Sequence, residues 1–405
     1  MRLRRTQRER SRRCLLLVGL LFLAGQLGVG LMLDWALTKI RFPDADNTIK
    51  AAAGLPRPPD ILFMGSSRFL GAIDIGELDK LMQASCGQHA PLLFSAAMPA
   101  ADAFVMDYLL RLFISHGITP GMVVVEISPE TVKVWGPWLD IQIARLITWQ
   151  DMPDALPDFI ARRRISRLLS SRLIPLYLYR KELLTWMIGS SPPYLTVSSA
   201  SASPQPNSRA GVEELGPPPA PEPGPGATVA GLNRLAAPDS LLDSQQELDA
   251  AIKKSQSQAP MVASWLRDYR IGGINAQHLE SMLALLRNRN VPAILVGAPV
   301  CKLHFARYSP EINRKFLDYM EYLTRNYGCL FVDYRDRVPD EFFRDTYHLT
   351  KAGGLFFSRM FAGEVLNEAW RQPSSLPPGA AAPTTQDPRA PAPQAIGQSP
   401  RPFGG

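Results

Sequence analysis

Cysteine is scarce in this sequence. Four residues among 405 are cysteine, at positions 14, 86, 301 and 329. They are too few and too scattered to form a disulfide framework. A single disulfide stays open only in an oxidising compartment. Cys329 begins a strand-like run and Cys86 ends a helix-like one, so both read as buried thiols. Histidine is also rare, at five residues. With no Cys-x-x-Cys pair and no histidine cluster, nothing has metal-ligand spacing. Neither a metal nor a cofactor is expected. Internal repeats are absent, which excludes a repeat architecture.

Charge is missing altogether from residues 14–33, CLLLVGLLFLAGQLGVGLML. A helix of that length rises about 30 Å, the thickness of a bilayer core. The preceding arm, 1–13, holds seven arginines against one glutamate. Basic residues stay on the cytoplasmic side, which puts the N-terminus in and everything after Asp34 out. No small-x-small cleavage site follows the run. An uncleaved single-pass anchor in a bacterial inner membrane is therefore expected, with the rest of the chain in the periplasm. The alternatives are a cleaved export signal, since SRRCLL has a twin-arginine look, and a soluble basic arm. An extracytoplasmic chain makes nucleic acid an unsuitable partner.

Proline is abundant, at 37 residues, and it clusters. Residues 191–260 (with PQPNSRAGVEELGPPPAPEPGPG) and 372–405 are rich in Pro, Ser, Ala and Gly, and are expected to be a disordered linker and tail. Between the anchor and the tail, five continuously apolar runs read as buried parallel strands: 61–64, 91–97, 122–127, 293–299 and 329–334. Amphipathic segments at 74–85, 103–116, 276–289 and 311–327 read as helices, two of them stopped by Gly117 and Gly328. The alternation predicts an α/β fold, a doubly wound five-stranded parallel sheet. One domain spans 55–135 and 261–371. It is interrupted by a helical insertion, 136–190, rich in arginine and tryptophan, and by the linker. The insertion suits anionic lipid heads, an acidic glycan or a membrane partner, or is a solvated helix face.

Ligands in such sheets sit beyond the C-terminal strand ends. The first strand runs into Gly65-Ser66-Ser67-Arg68, and near the C-terminus comes FFRDTYHLTKAGG, with Asp345 and His348 three apart. A carboxylate beside an imidazole fixes its tautomer, and the other ring nitrogen can take a proton from a serine. GSSRFLG followed much later by DTYHL resembles the SGNH, or GDSL-type, hydrolases, with a flavodoxin-like sheet. The resemblance implies Ser67 as nucleophile, with Gly71 four residues on, and Asp345 and His348 as the other triad members. Gly65 and Ser66 would support the loop.

Two features depart from that pattern. The second strand ends in Ala96 and Ala97 where the family has a glycine, and the third, VVVEISPETV, has no asparagine. One oxyanion donor is thus unassigned; a main-chain N–H near Ala97 is a substitute beside that of Ser67. Arg68 is read as pairing with a carboxylate, or as a contact for an anionic group, and Glu126 as a partner behind the loop. The pattern is closer to the membrane-anchored SGNH proteins of D-alanyl-lipoteichoic-acid and alginate-acetylation type. That likeness implies an esterase or O-acyltransferase acting on acyl esters of an envelope or exported polysaccharide. It also implies a multi-spanning membrane O-acyltransferase as partner and a glycan acceptor. The alternative is a catalytically degenerate domain that binds glycan or scaffolds an acylation complex.

Overall fold

The computed structural model describes residues 2–35, 42–134, 146, 152–161, 163, 165–180, 183–184 and 245–372. The chain divides into two compact units. One comprises Met1–Pro43 and Leu169–Ala237, the other Asp44–Leu168 and Pro238–Gly405.

The first unit is built on α1 (Arg2–Trp35). Its stretch Ser11–Leu33 has a mean hydropathy of 2.3 and is long and apolar enough to cross a membrane. Leucines such as Leu15 and Leu21 stand exposed on it.

The second unit alternates strand and helix. After α2 (Pro43–Ala53), β1 (Ile61–Met64) leads into α3 (Ser67–Ala72) and α4 (Ile75–Cys86). β2 (Leu93–Ser95) leads into α5 (Ala103–Ser115), and β3 (Met122–Ile127) into α6 (Pro129–Val132). Helices α7 (Met152–Ala161), α8 (Ile165–Leu173) and α9 (Pro175–Leu178) follow; α8 passes into the first unit at Leu169 and α9 belongs to it. Then come α10 (Gln245–Trp265), α11 (Gly273–Asn288), β4 (Ala293–Gly297), α12 (Lys302–Phe305) and α13 (Pro310–Tyr327). The chain returns through β5 (Leu330–Asp333) and α14 (Lys351–Phe361), which passes through a π turn at Ala362–Leu366 into α15 (Asn367–Arg371).

The five strands pair in parallel in the order β2-β1-β3-β4-β5. Every side chain of β1, β3 and β4 is buried, which explains runs that are apolar throughout rather than alternating. Ile61, Phe63, Val124, Ile294 and Val296 point to one face, against Leu78 and Met82 of α4 and Phe357 and Phe361 of α14. Leu62, Val123 and Leu295 point the other way and are equally buried. The helices start where polar side chains cap them. Asp74 accepts the Glu77 N–H at 2.8 Å, and Asp102 accepts that of Val105 at 3.1 Å. α13 ends on Gly328 in the left-handed conformation, as its sequence predicts.

The strand order reverses between β1 and β3. Chain connections leave these neighbours in opposite directions, opening a crevice beyond their C-terminal ends.

One boundary differs from the sequence reading. The linker expected to run to 260 gives way to α10 at Gln245. That helix has too little apolar periodicity to stand out and carries Pro260 within it. Its order comes from tertiary packing, since Val262 is fully buried in a cluster with Leu266, Val300 and Tyr308. Residues 191–244 of the expected linker, the tail from 373, Trp135, and Trp138, Trp149 and Trp186 of the insertion lie outside the described residues.

Candidate active site

β1 drives straight into a turn at its C-terminal end. Gly65 closes that turn because nothing larger fits. A Cβ there would lie 2.6 Å from the Phe69 Cβ and 2.7 Å from Glu126 Oε2. Ser66 follows as the cap of α3. Its hydroxyl accepts the Arg68 N–H at 3.1 Å and donates to Glu126 Oε1 at 2.9 Å. The Ser66 N–H donates to Glu126 Oε2 at 2.6 Å. Glu126 comes from the adjacent β3, so both arms of one buried carboxylate hold the turn. Burial pushes its pKa up, against the Arg68 charge and the Ser66 bonds. Ser67 is then the first residue of α3, half-buried, at a position whose N–H has no acceptor within the helix.

The second part of the site is a short loop closed by an antiparallel bridge between Phe343 and Leu349. Asp345 shapes this loop itself. Its Oδ1 accepts the main-chain N–H groups of Tyr347 at 3.1 Å and His348 at 2.9 Å. The cap of α14 is Thr350, which accepts the Gly353 N–H, so Asp345 is free of a helix-capping role.

These two loops, 281 residues apart in sequence, meet. Ser67 Oγ lies 2.9 Å from His348 Nε2. His348 Nδ1 lies 2.9 Å from Asp345 Oδ2 and 3.1 Å from Oδ1. A carboxylate can only accept, so Nδ1 carries the proton and Nε2 faces the serine as acceptor. Asp345 is largely buried. Burial pushes its carboxyl up, but the His348 hydrogen bond, the ring's charge and the two main-chain donors more than reverse this. The group stays ionised well below the usual carboxylate range. The result is a hydroxyl, a base and an orienting carboxylate in line.

Several further residues support this line. Arg68 is buried, 3.6 Å from Glu130 Oε2, with its guanidinium 4.8 Å from the Tyr347 ring centre. The carboxylate contact corresponds to one of its two expected roles. Glu130 also accepts from His304 Nε2 at 2.7 Å and from the Tyr308 hydroxyl at 3.0 Å. Burial raises the Glu130 pKa, but Arg68 and His304 pull it far below the carboxylate range. His304 is lowered by its own burial. The Tyr347 ring packs against that of His348 at 4.4 Å. From α10, Lys254 Nζ approaches Asp345 Oδ2 at 3.4 Å, and Gln258 Oε1 accepts the Thr346 hydroxyl at 3.1 Å. His304 and Glu130 sit 174 residues apart, and no local spacing announces such a pair. Similarly, His278 meets the buried Asp107 at 2.7 Å.

The residues after β3 include no asparagine, and the Ser128 hydroxyl reaches only Thr131 Oγ1, at 3.5 Å. Glu126 is committed to Ser66, the Ser128 N–H and carbonyl close a reciprocal pair with the Thr131 hydroxyl, and Glu130 faces Arg68. Ala97, half-buried at the end of β2, is held only loosely, its N–H 3.4 Å from Ser95 Oγ. Next to it, the Met98 N–H ties this loop to the Gly65 carbonyl at 2.9 Å. Among the described residues no group of three or more His, Cys, Asp or Glu is arranged to hold a metal. Cys301 and Cys329 are buried thiols and Cys86 is half-buried, all three free. No protein-family model matches the chain, and no curated protein matches it by sequence.

Proposed function

We propose that this protein is a membrane-anchored serine esterase or O-acyltransferase of SGNH type, with a flavodoxin-like catalytic domain on the outer side of a bacterial inner membrane. The observation that carries the reading is the Ser67–His348–Asp345 line, with 2.9 Å at each step. Ser67 attacks an ester carbonyl while His348 Nε2 takes its proton. Asp345 holds the ring and balances the imidazolium. The carbon–oxygen bond to the leaving alcohol breaks, and His348 returns the proton to that alcohol. A water or sugar hydroxyl then gives its proton to His348 and attacks the acyl-serine; the bond to Ser67 Oγ breaks, and His348 returns the proton to Ser67. The oxyanion would rest on main-chain N–H groups of Ser67 and Ala97, because β3 is followed by no asparagine.

A glycan acceptor, and a multi-spanning membrane O-acyltransferase that delivers the acyl group, belong to this reading through the family likeness alone. The missing asparagine after β3 favours a second reading, a domain that has lost turnover and serves as a glycan-binding scaffold.

The test uses the full chain in detergent, an acetyl ester of a chromogenic phenol, and intact mass of the protein. Wild type should turn over and trap an acyl adduct. Ser67→Ala should lose both, by at least about 1000-fold in rate. Ser66→Ala should keep a measurable fraction. Equal inertness of all three proteins, with the ester and with an acyl donor supplied by membranes, would sink the enzyme reading and leave the scaffold.

A further inference from the structure

α1 is exposed along most of its apolar length, but one of its faces is covered. Gln26 is 3% exposed and Leu33 1%, with Gly30 buried between them. The spacing of four and three residues places them on one side of the helix. What covers them is α9 and the residues after it. Tyr179 packs on Leu33, with Val29, Leu178 and Leu183 around them.

The Leu176 N–H donates to Gln26 Oε1 at 3.3 Å. Gln26 lies seven residues before Leu33, or about 10 Å along the helix. The chain at Leu176 is therefore level with the interior of the apolar stretch Ser11–Leu33, and it rises beside α1 toward Leu33 as it reaches Tyr179.

Backbone at that depth is tolerated in a bilayer only where every polar group is satisfied internally. From Pro175 to Tyr179 the main-chain donors are accounted for. Pro175 has no N–H. Leu176 has Gln26. Tyr177 and Leu178 donate to the Ile174 carbonyl at 3.1 and 3.3 Å, and Tyr179 to the Pro175 carbonyl at 2.9 Å. The side chains that face outward are Leu173, Ile174, Leu176 and Tyr177, apolar where an aqueous turn would be polar. Arg180 sits over the Tyr177 ring at 4.3 Å and donates to the Tyr177 carbonyl at 2.6 Å, so its charge is met by the ring face and a carbonyl.

We infer that residues 173–178 form a re-entrant tip inserted among the acyl chains of the outer leaflet, docked on the Gln26 face of α1. The occupant of its exposed apolar side is lipid. The inference rests on the reading of α1 as a membrane span.

The test places the full chain in lipid nanodiscs of phosphatidylethanolamine and phosphatidylglycerol. Cys14 and Cys86 are replaced by Ser, and a bimane probe is attached at Tyr177→Cys, Phe22→Cys or Lys315→Cys. Lipids spin-labelled midway along the acyl chain should quench Tyr177→Cys and Phe22→Cys several-fold more than Lys315→Cys. A membrane-impermeant maleimide should react several-fold more slowly at Tyr177→Cys than at Lys315→Cys. Adding Gln26→Leu should raise the Tyr177→Cys reaction rate. If Phe22→Cys is quenched but Tyr177→Cys reacts as fast as Lys315→Cys, the tip is in water and the inference falls alone. If Tyr177→Cys is protected yet unquenched, another copy of the protein covers it, which also overturns the lipid assignment. If Phe22→Cys is unquenched, the span itself is wrong and the tip falls with it.

Discussion

Glu126 is the residue whose role is most at odds with its chemistry. A carboxylate on a fully buried strand is costly unless it is bonded, and here both oxygens are used on Ser66. It anchors the turn that presents Ser67, so it acts through position. Glu126→Gln keeps the shape but replaces one acceptor with a donor facing the serine. On the proposed function, kcat should fall about 10- to 100-fold with KM little changed, and the acyl adduct should still form. A variant with unaltered kcat would show that the turn holds without the carboxylate.

Among the elements, α5 and α14 carry separable predictions. Asp102, the cap of α5, is fully buried, and burial raises its pKa to about 6 although the Val105 N–H opposes this. Its folded pKa lies above the unfolded value near 3.9. The folded state therefore binds the proton more tightly, and stability falls as pH rises from about 4 to 6 and stays lower above that. The depressed pKa values of Asp345 and Glu130 work the other way. Their stabilisation is present above about pH 4 and is lost only on further acidification. Asn caps as well as Asp. Asp102→Asn should thus gain about 1–3 kcal/mol by urea denaturation at pH 8 and nothing at pH 4. A gain equal at both pH values would refute the assignment.

The contact of α14 with α3 is set by two glycines with unequal demands. A Cβ at Gly354 would stand 2.5 Å from the Gly71 carbonyl oxygen, whereas one at Gly71 would meet only the Leu349 carbonyl oxygen, at 3.8 Å. Gly354→Ala should cost about 1–3 kcal/mol as an overpacked site. Gly71→Ala should stay within about 1 kcal/mol, since its position inside a helix even favours alanine. Thermal melts of the two variants decide this. Gly71 marks the motif in sequence, but the steric constraint belongs to its partner.

For the molecule as a whole, the candidate site depends on a segment that composition assigns to a linker. Gln258 of α10 accepts from both the N–H and the hydroxyl of the fully buried Thr346, next to Asp345. Gln258→Ala leaves those groups unpaired and should cost about 1–3 kcal/mol. It should also lower kcat more than it changes KM, because the Asp345 loop loosens. Denaturation midpoints and steady-state kinetics on one preparation would check both; a stable variant with reduced kcat would separate positioning from folding. A variant unchanged in both would mean that α10 plays no part in the site.

Periodicity and composition alone determined the five strands, most of the helices around them and the apolar span, while Ser67, Asp345 and His348 were singled out by two short motifs and the family resemblance they carry. Each of these is a local signal: an apolar run, a cap, or a short motif at a strand end. Only the tertiary structure decided that Ser67 and His348 touch, that Glu126 holds Ser66, and that Glu130 gathers Arg68, His304 and Tyr308. It also decided that α10 is a helix and that α9 lies on α1. These depend on pairs far apart in the chain, whose contact requires the parallel sheet to bring strand ends together first. Sequence spacing carries no trace of that geometry, because burial and electrostatic pairing act through space rather than along the backbone.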